Sequence, residues 1–403
     1  MEEDALDALD VDSLVRDAAA FVQVPSVTGD ERAALERLAG QARAAGLDVD
    51  LHRHDLRALR AHPDHPGAEA PRDELWGLTA TLPGAGRRIA LNGHVDVVSP
   101  GTEPWQRGAW SGTVADGRLH GRGAVDMKSA VVAAMHALAA IRRTGAVSPE
   151  VVLQAVASEE DGGQGTFAAL ERDARFDAAL IPEPTGLSVV CAQAGALTFK
   201  GEVRGVAAHA AERLAGHSAI DRYVRVHQAL AEHERAVNTD VAHPLMRALP
   251  LPYPLLVGRV QAGEWSSMVP DRLEFEGRLG VPVGTDVHAA REDLQRVVDR
   301  ALDDGYPPCV LTWEGGAFAS GETAPDHPWA QLVRGALTDE LGREAPLAGV
   351  AWGADMRLFT ARGIPTVMVG TNGIERAHAV DEFVAVDELV TVARTIIRAI
   401  ARA

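Results

Sequence analysis

The 403-residue chain predicts an α/β protein of two domains. The larger is an α/β/α domain with a mixed, largely parallel sheet, and a ferredoxin-like α+β domain is inserted into it. Three observations lead there. Up to about residue 188, segments with helical apolar spacing alternate with short apolar strands, as in an α/β sandwich. From about 190 the strands become amphipathic and run strand, helix, strand, strand, helix, strand, the order of a ferredoxin-like unit. From about 325 the first character returns. The boundaries are therefore 1–189 with 316–403 for the discontinuous domain, and 190–315 for the insert.

The elements follow in order. "VDSLVRDAAAFVQ" and "ERAALERLAGQARAAG" have helical spacing, and strands are expected near 75–82 and 88–92. In "MKSAVVAAMHALAAIRR" Val131, Met135 and Leu138 recur on one helical face, and "EVVLQAVAS" (150–158) is a strand. In the insert, "ALTFKGEVRG" sets Leu197, Phe199 and Val203 against Thr198, Lys200, Glu202 and Arg204, a strand with one wet face. "RLEFEGRLGV" repeats the alternation. Helices at 217–236 and 286–303 and strands at 255–262 and 308–314 complete the unit. A helix near 328–341, the strand "IPTVMVG" and a last helix from about 387 close the first domain. "RAHPDHPGAEAPRD" (60–73) is a Pro-containing loop, and His54, His62 and His65 in and near it are expected in solvent.

Composition narrows the function classes. A formal charge of −18, from 57 acidic against 39 basic residues, argues against nucleic acid or an anionic membrane as partner. The two cysteines, Cys191 and Cys309, suit a reducing compartment and leave no Cys-based zinc module. The acidic opening "MEEDALDALDVD" has no signal-peptide pattern, and no apolar run reaches the roughly 20 residues of a membrane span. These features read as a cytoplasmic protein.

Metal-competent side chains recur at predicted strand ends and loops. They are His94 and Asp96 in "GHVDVV", Asp126 in "GRGAVDMKSA", Glu159 and Glu160 in "ASEEDGGQGT", Glu183 in "IPEPTG" and His378 in "ERAHAVDEF". Singly, each has an ordinary reading as a hydrogen-bonded strand-end histidine, a turn or a helix cap. Together they are charges at the ends of buried strands, costly unless paired or bound to a cation. Two His, an Asp and two Glu form a nitrogen and oxygen set without sulfur, suited to zinc or its first-row neighbours. Five ligands serve two ions if one carboxylate bridges.

The order of "GHVDVV", "GRGAVDMK", "SEEDGG", "EPT" and the late "AH" resembles the di-zinc amidohydrolase and exopeptidase family of acetylornithine deacetylase, succinyl-diaminopimelate desuccinylase, aminoacylase and glutamate carboxypeptidase. The resemblance covers nearly the whole chain. It implies two divalent ions, Zn2+ first and Co2+ or Mn2+ as alternatives, with Asp126 bridging, His94 and Glu183 on one ion, and Glu160 and His378 on the other. It also implies that Asp96 holds the other ring nitrogen of His94, that Glu159 is the general base and acid acting with a metal-activated water, and that the peptide after Asp126 is cis. The role division between Glu159 and Glu160 is expected from neighbouring side chains leaving an extended backbone on opposite sides.

In the insert, His209 of "AAHAAERLAGHSAI" matches a histidine that stabilises the oxyanion in the neighbouring subunit's site, which implies a homodimer joined through this lid domain. The implied substrate is a small N-acyl amino acid or related amide, and the implied activity is deacylation. An exopeptidase or dipeptidase of the same family is the alternative, and a non-catalytic metal-binding dimer the alternative of another class. The chain departs from the family pattern at Ser129, where glycine is common, and at Ser267 in "SMVP". It departs also at the lid arginine that binds a substrate carboxylate, for which Gly280 stands in place and Arg278 two residues earlier. "WGADMRLF" puts Asp355 and Arg357 where deacylases contact substrate, or else forms a helix-start ion pair.

Overall fold

The computed structural model describes residues 2–146 and 149–403. It divides into two compact units, one of Met1–Cys191, Glu322–Ala348 and Ala354–Ala403, the other of Ala192–Gly321 and Gly349–Gly353.

The first unit is built on a mixed sheet. From one edge, its strands are ordered Asp48–Arg53, Trp76–Leu82, Glu150–Val156, Arg88–His94, Ala178–Ile181, Thr366–Met368, Val189–Gln193 and Gly321–Glu322, with Leu347–Val350 paired to Val189–Gln193. The four strands Glu150–Val156, Arg88–His94, Ala178–Ile181 and Thr366–Met368 are parallel, whereas Asp48–Arg53 with Trp76–Leu82, Trp76–Leu82 with Glu150–Val156, and Thr366–Met368 with Val189–Gln193 pair antiparallel. Helices cover both faces. Gly93 lies so close under the helix Lys128–Thr144 that a Cβ there would stand 2.8 Å from Val131, while the next residue back, Asn92, reaches the opposite face and hydrogen-bonds Thr166 of the helix Gln164–Arg172. Those central strands are buried on both sides, which is why they read as unbroken apolar runs. The helix Val11–Val22 starts where Asp10 accepts from the Ser13 amide, and the chain ends in the helix Val386–Ala401.

No strand was expected at Asp48–Arg53, Ala178–Ile181, Val189–Gln193, Gly321–Glu322 or Leu347–Val350, and three further short strands were not foreseen either. Thr113–Ala115, Arg118–His120 and Phe383–Ala385 form a small antiparallel sheet that joins residues from before Asp126 to residues just after His378. Strands of three residues carry too little periodicity to be read from a sequence. The loop histidines also differ from expectation. His54, His62 and His65 are half-buried, and burial, with His52 and Arg172 adding to it, pushes the His54 pKa down to about 4.

In the second unit four antiparallel strands are ordered Leu255–Ala262, Arg272–Val281, Gly195–Arg204 and Thr312–Phe318, the ferredoxin-like arrangement. Its helices, Ala219–Val237 and Val287–Ala301, are capped by Ser218 and Asp286 and pack with Leu197, Phe199, Val203, Phe275 and Leu279 in one core. The last strand starts at Thr312 and not near 308. Pro307 and Pro308 have no N–H to give a ladder, and the amide of Leu311 donates to Gln295 Oε1 at 2.8 Å instead. Because the strand runs to Phe318, this unit extends beyond residue 315.

Phe275 packs against Phe199 and Tyr223 at ring-centroid distances of 6.2 and 5.1 Å. Phe275→Ala is expected to cost about 3–5 kcal/mol, read as the loss in urea-denaturation stability of this unit.

Candidate metal centre

The parallel strands present their carboxyl ends side by side, and the charged residues gather there. His94 ends Arg88–His94, Glu159 and Glu160 follow Glu150–Val156, Glu183 follows Ala178–Ile181, and His378 lies beyond Thr366–Met368. Open α/β sheets bind ligands at this edge.

Asp126 stands between two histidines. His94 Nε2 is 3.0 Å from its Oδ1 and 3.8 Å from Glu183 Oε1, while His378 Nε2 is 3.5 Å from its Oδ2 and 3.2 Å from Glu160 Oε2. Ligand atoms of His94, Asp126 and Glu160 all lie within 4.8 Å of one another. The five predicted ligands are thus brought together, with Asp126 in the middle. The peptide between Asp126 and Met127 is cis.

Two observations test whether cations fit. His94 Nδ1 is 2.8 Å from the main-chain carbonyl of Asp96, which can only accept, so Nδ1 carries a hydrogen and Nε2 is the nitrogen turned toward the carboxylates. Carboxylate oxygens 3.0 and 3.8 Å from Nε2 call for positive charge there, which a ring proton or a metal ion supplies. Second, Glu160 Oε1 is buried without a hydrogen-bond partner among the described residues. The electrostatics agree. Burial, together with neighbouring carboxylates, raises the pKa of Glu183 well above the usual range, and burial and Asp355 do the same to Glu159. His378 is raised to about 10 by Asp126 and Glu160, the response of an imidazole in a site with excess negative charge. The donor set fits divalent cations.

Asp96 differs from expectation in an instructive way. Its main-chain carbonyl, not its carboxylate, holds His94 Nδ1; the nearer carboxylate oxygen is 3.7 Å away. The carboxylate instead accepts from the Glu159 and Glu160 amides, each at 3.1 Å, and from the Thr28 hydroxyl at 3.1 Å. Glu159 and Glu160 accordingly lie in a turn and not on extended backbone, preceded by Ser158 at φ +66°. The turn sends them apart: Glu160 meets His378, and Glu159 lies among Asp355, His94 and Glu183.

Glu382 was missed from the sequence. It is fully buried, bonds Arg122 Nη1 at 2.6 Å and accepts from the amides of Gly123 at 3.1 Å, Val125 at 2.8 Å and Asp126 at 3.3 Å. It therefore shapes the loop that delivers Asp126. The available signal was an acidic residue four after His378 in "HAVDEF" and an arginine four before Asp126. Ser129 is accommodated because its hydroxyl bonds the Ala124 carbonyl.

Asp355 and Arg357 are buried and 3.3 Å apart, and Arg357 Nη2 donates to the Gly162 carbonyl at 2.7 Å. They form the ion pair that was the alternative reading, packed on the turn after Glu160. His209 and Arg278 belong to the second unit. His209 is exposed at the start of the short helix Ala210–Ala215, and its Nδ1 accepts from the Ala211 amide at 3.1 Å. Arg278 is exposed on the wet face of Arg272–Val281.

A strand-end cluster of histidines and carboxylates on this sandwich, with a buried glutamate beside it, defines a metal-dependent hydrolase. The chain belongs to peptidase family M20/M25/M40, whose model matches residues 90–402. It is 29% identical over 400 residues to a succinyl-diaminopimelate desuccinylase of Methylorubrum extorquens, covering 92% of this chain and 94% of that protein. Among solved structures it is similar in fold to a tripeptidase of Staphylococcus aureus, at TM-score 0.78 and 18% identity over 98% of this chain and 100% of that one. A dinuclear metal-binding peptidase of the M20 family from Bacillus subtilis is similar at TM-score 0.65 and 18% identity, over 97% of each chain.

Glu382→Ala leaves the Arg122 charge buried and unpaired, and is expected to cost about 3–5 kcal/mol in urea denaturation. By releasing the Asp126 loop it should also weaken metal binding about 10- to 100-fold in a chelator-competition titration.

Proposed function

We propose that this protein removes the acyl group from a small N-acyl amino acid or related amide, using two divalent ions, Zn2+ by preference and Co2+ or Mn2+ as substitutes. The observation that supports it most is the meeting of His94, Glu160, Glu183 and His378 around the Asp126 carboxylate, with Glu159 beside them. The resemblance to a desuccinylase over nearly the full length of both chains favours deacylation over peptide cleavage.

In this reading His94 and Glu183 would hold one ion and Glu160 and His378 the other, with Asp126 available to both. When bound, the ions would polarise the scissile carbonyl and lower the pKa of a water. Glu159 takes the proton from the attacking water and gives it to the amine nitrogen as the C–N bond breaks. Asp96 sets the Glu159 and Glu160 main chain, and its carbonyl fixes the His94 tautomer. His209 supplies an N–H to the developing oxyanion in a homodimer joined through the inserted domain, which serves as lid. Its Nδ1 accepts from Ala211, which puts the hydrogen of the neutral ring on Nε2, as a donor needs. Arg278 is the substrate-carboxylate group in the same scheme. Cys191 and Cys309 are unpaired and buried, which suits the cytoplasm.

Incubation of the metal-loaded protein with N-acetyl, N-formyl and N-succinyl amino acids, with di- and tripeptides alongside, tests the reading. Turnover of an N-acyl amino acid that stops on chelation and returns with zinc or cobalt is expected; cleavage of peptides alone would move the assignment to an exopeptidase. Glu159→Gln should keep its metal by elemental analysis and lose at least ~100-fold in kcat.

A further inference from the structure

The turn that carries Glu159 and Glu160 is held by a buried network outside the metal cluster. Ser158, Gly162 and Gly163 all have positive φ, of 66°, 151° and 77°. For a serine this region costs on the order of 1 kcal/mol, so its surroundings must hold it there. The Ser158 hydroxyl donates to Asp161 Oδ1 and accepts from Gln164 Nε2 at 3.0 Å. Asp161 Oδ2 accepts from the amides of Glu69 and Ala70 at 3.1 and 2.8 Å, and Arg72 Nη2 stands 3.6 Å from Asp161 Oδ1.

The chain of contacts then closes on itself. Arg72 binds both carboxylate oxygens of Glu31 at 3.2 and 3.1 Å, and Glu31 accepts from the Gly29 amide at 2.6 Å. Its neighbour Thr28 donates to Asp96 Oδ2, the oxygen that accepts from the Glu160 amide. The side chains of Arg72, Glu31 and Asp161 are 0%, 5% and 7% exposed, so three charges are kept from water at a place where a surface loop could have been packed with apolar groups. A buried charge network of this kind contributes definition of geometry more than stability.

We propose that Asp161 is a positioning residue for Glu159, acting through Ser158, and that Arg72 and Glu31 hold Asp161 and Asp96 in register from opposite sides of the turn. None of Arg72, Glu31 or Asp161 belongs to the proposed ligand set. The loop 60–73 thereby becomes part of the catalytic apparatus, although none of its side chains is assigned to substrate or metal. The proposal rests on Glu159 being the group that moves the proton, since displacement of a reacting group by about 1 Å costs on the order of 100-fold.

The test uses the metal-loaded enzyme and the best substrate of the panel. Asp161→Asn is expected to keep two metals per chain and an unchanged far-ultraviolet circular dichroism spectrum, to leave KM within about twofold, and to lower kcat about tenfold or more. In the Glu159→Gln background the same change should lower the residual rate no further, because the group it positions is already gone. A kcat within twofold of the parent, or an equal further loss in that background, would overturn the proposal. Ser158→Ala, which removes one hydroxyl and no charge, should show the same split in smaller measure and keeps the test decisive if Asp161→Asn fails to fold. Full activity of Glu159→Gln would instead remove the underlying reading of Glu159, an outcome visible without any Asp161 variant.

Discussion

Uncompensated negative charge at the carboxyl ends of four parallel strands is the constraint on which the rest of this structure depends. Asp126, Glu160, Glu183 and Glu159 are drawn together by the sheet, in surroundings too dry to screen them. Such a site must take up protons or bind cations. Two imidazoles are present, and the carboxylates favour their protonated forms, with pKa values raised; for His94 burial opposes this, but Asp126, Glu183 and Asp96 outweigh it. A carbonyl that can only accept keeps a hydrogen on His94 Nδ1, so Nε2 is the nitrogen turned toward the carboxylates. Divalent ions would supply the positive charge that the carboxylates call for.

What holds the cluster open for those ions is main chain as much as side chain. Glu382 accepts from three amides of the Asp126 loop, those of Gly123, Val125 and Asp126, and Asp96 accepts from the consecutive amides of Glu159 and Glu160. In each case a carboxylate organises a stretch of backbone that itself delivers a carboxylate. The arrangement explains why Asp96 needs to be acidic even though its side chain does not hold the histidine. Burial raises the Asp96 pKa to about 7, a sign of how much of its hydrogen bonding is required to keep it charged.

The sequence disclosed the sheet, both helical layers and the inserted unit because long buried strands and amphipathic helices carry strong periodicity. It disclosed the cluster because five polar motifs interrupt apolar runs in a fixed order. It did not disclose the three-residue strands that join Arg118–His120 to Phe383–Ala385, nor Glu382 beside them, since a contact between residues about 260 positions apart leaves no local mark. Asp96 was found but its bonding was not: a residue two from a histidine can reach it by side chain or by carbonyl, and only the turn at Ser158 decides which. The same turn engages Arg357, whose ion pair with Asp355 and bond to the Gly162 carbonyl were not legible in the spacing of two residues alone.

The commitment of Arg357 has a consequence for recognition. Its guanidinium binds Asp355, the Ala354 carbonyl and the Gly162 carbonyl, so a substrate carboxylate that drew on it would have to break contacts that hold the catalytic turn. A group under that duty is poorly suited to discriminate among substrates, because any change in it changes the chemistry as well. Arg278, on the wet face of a strand in the other unit, carries no such duty toward Glu159. Arg357 is therefore constrained by the turn it supports, and a substitution there is expected to act on the geometry of Glu159 and Glu160 before it acts on anything else.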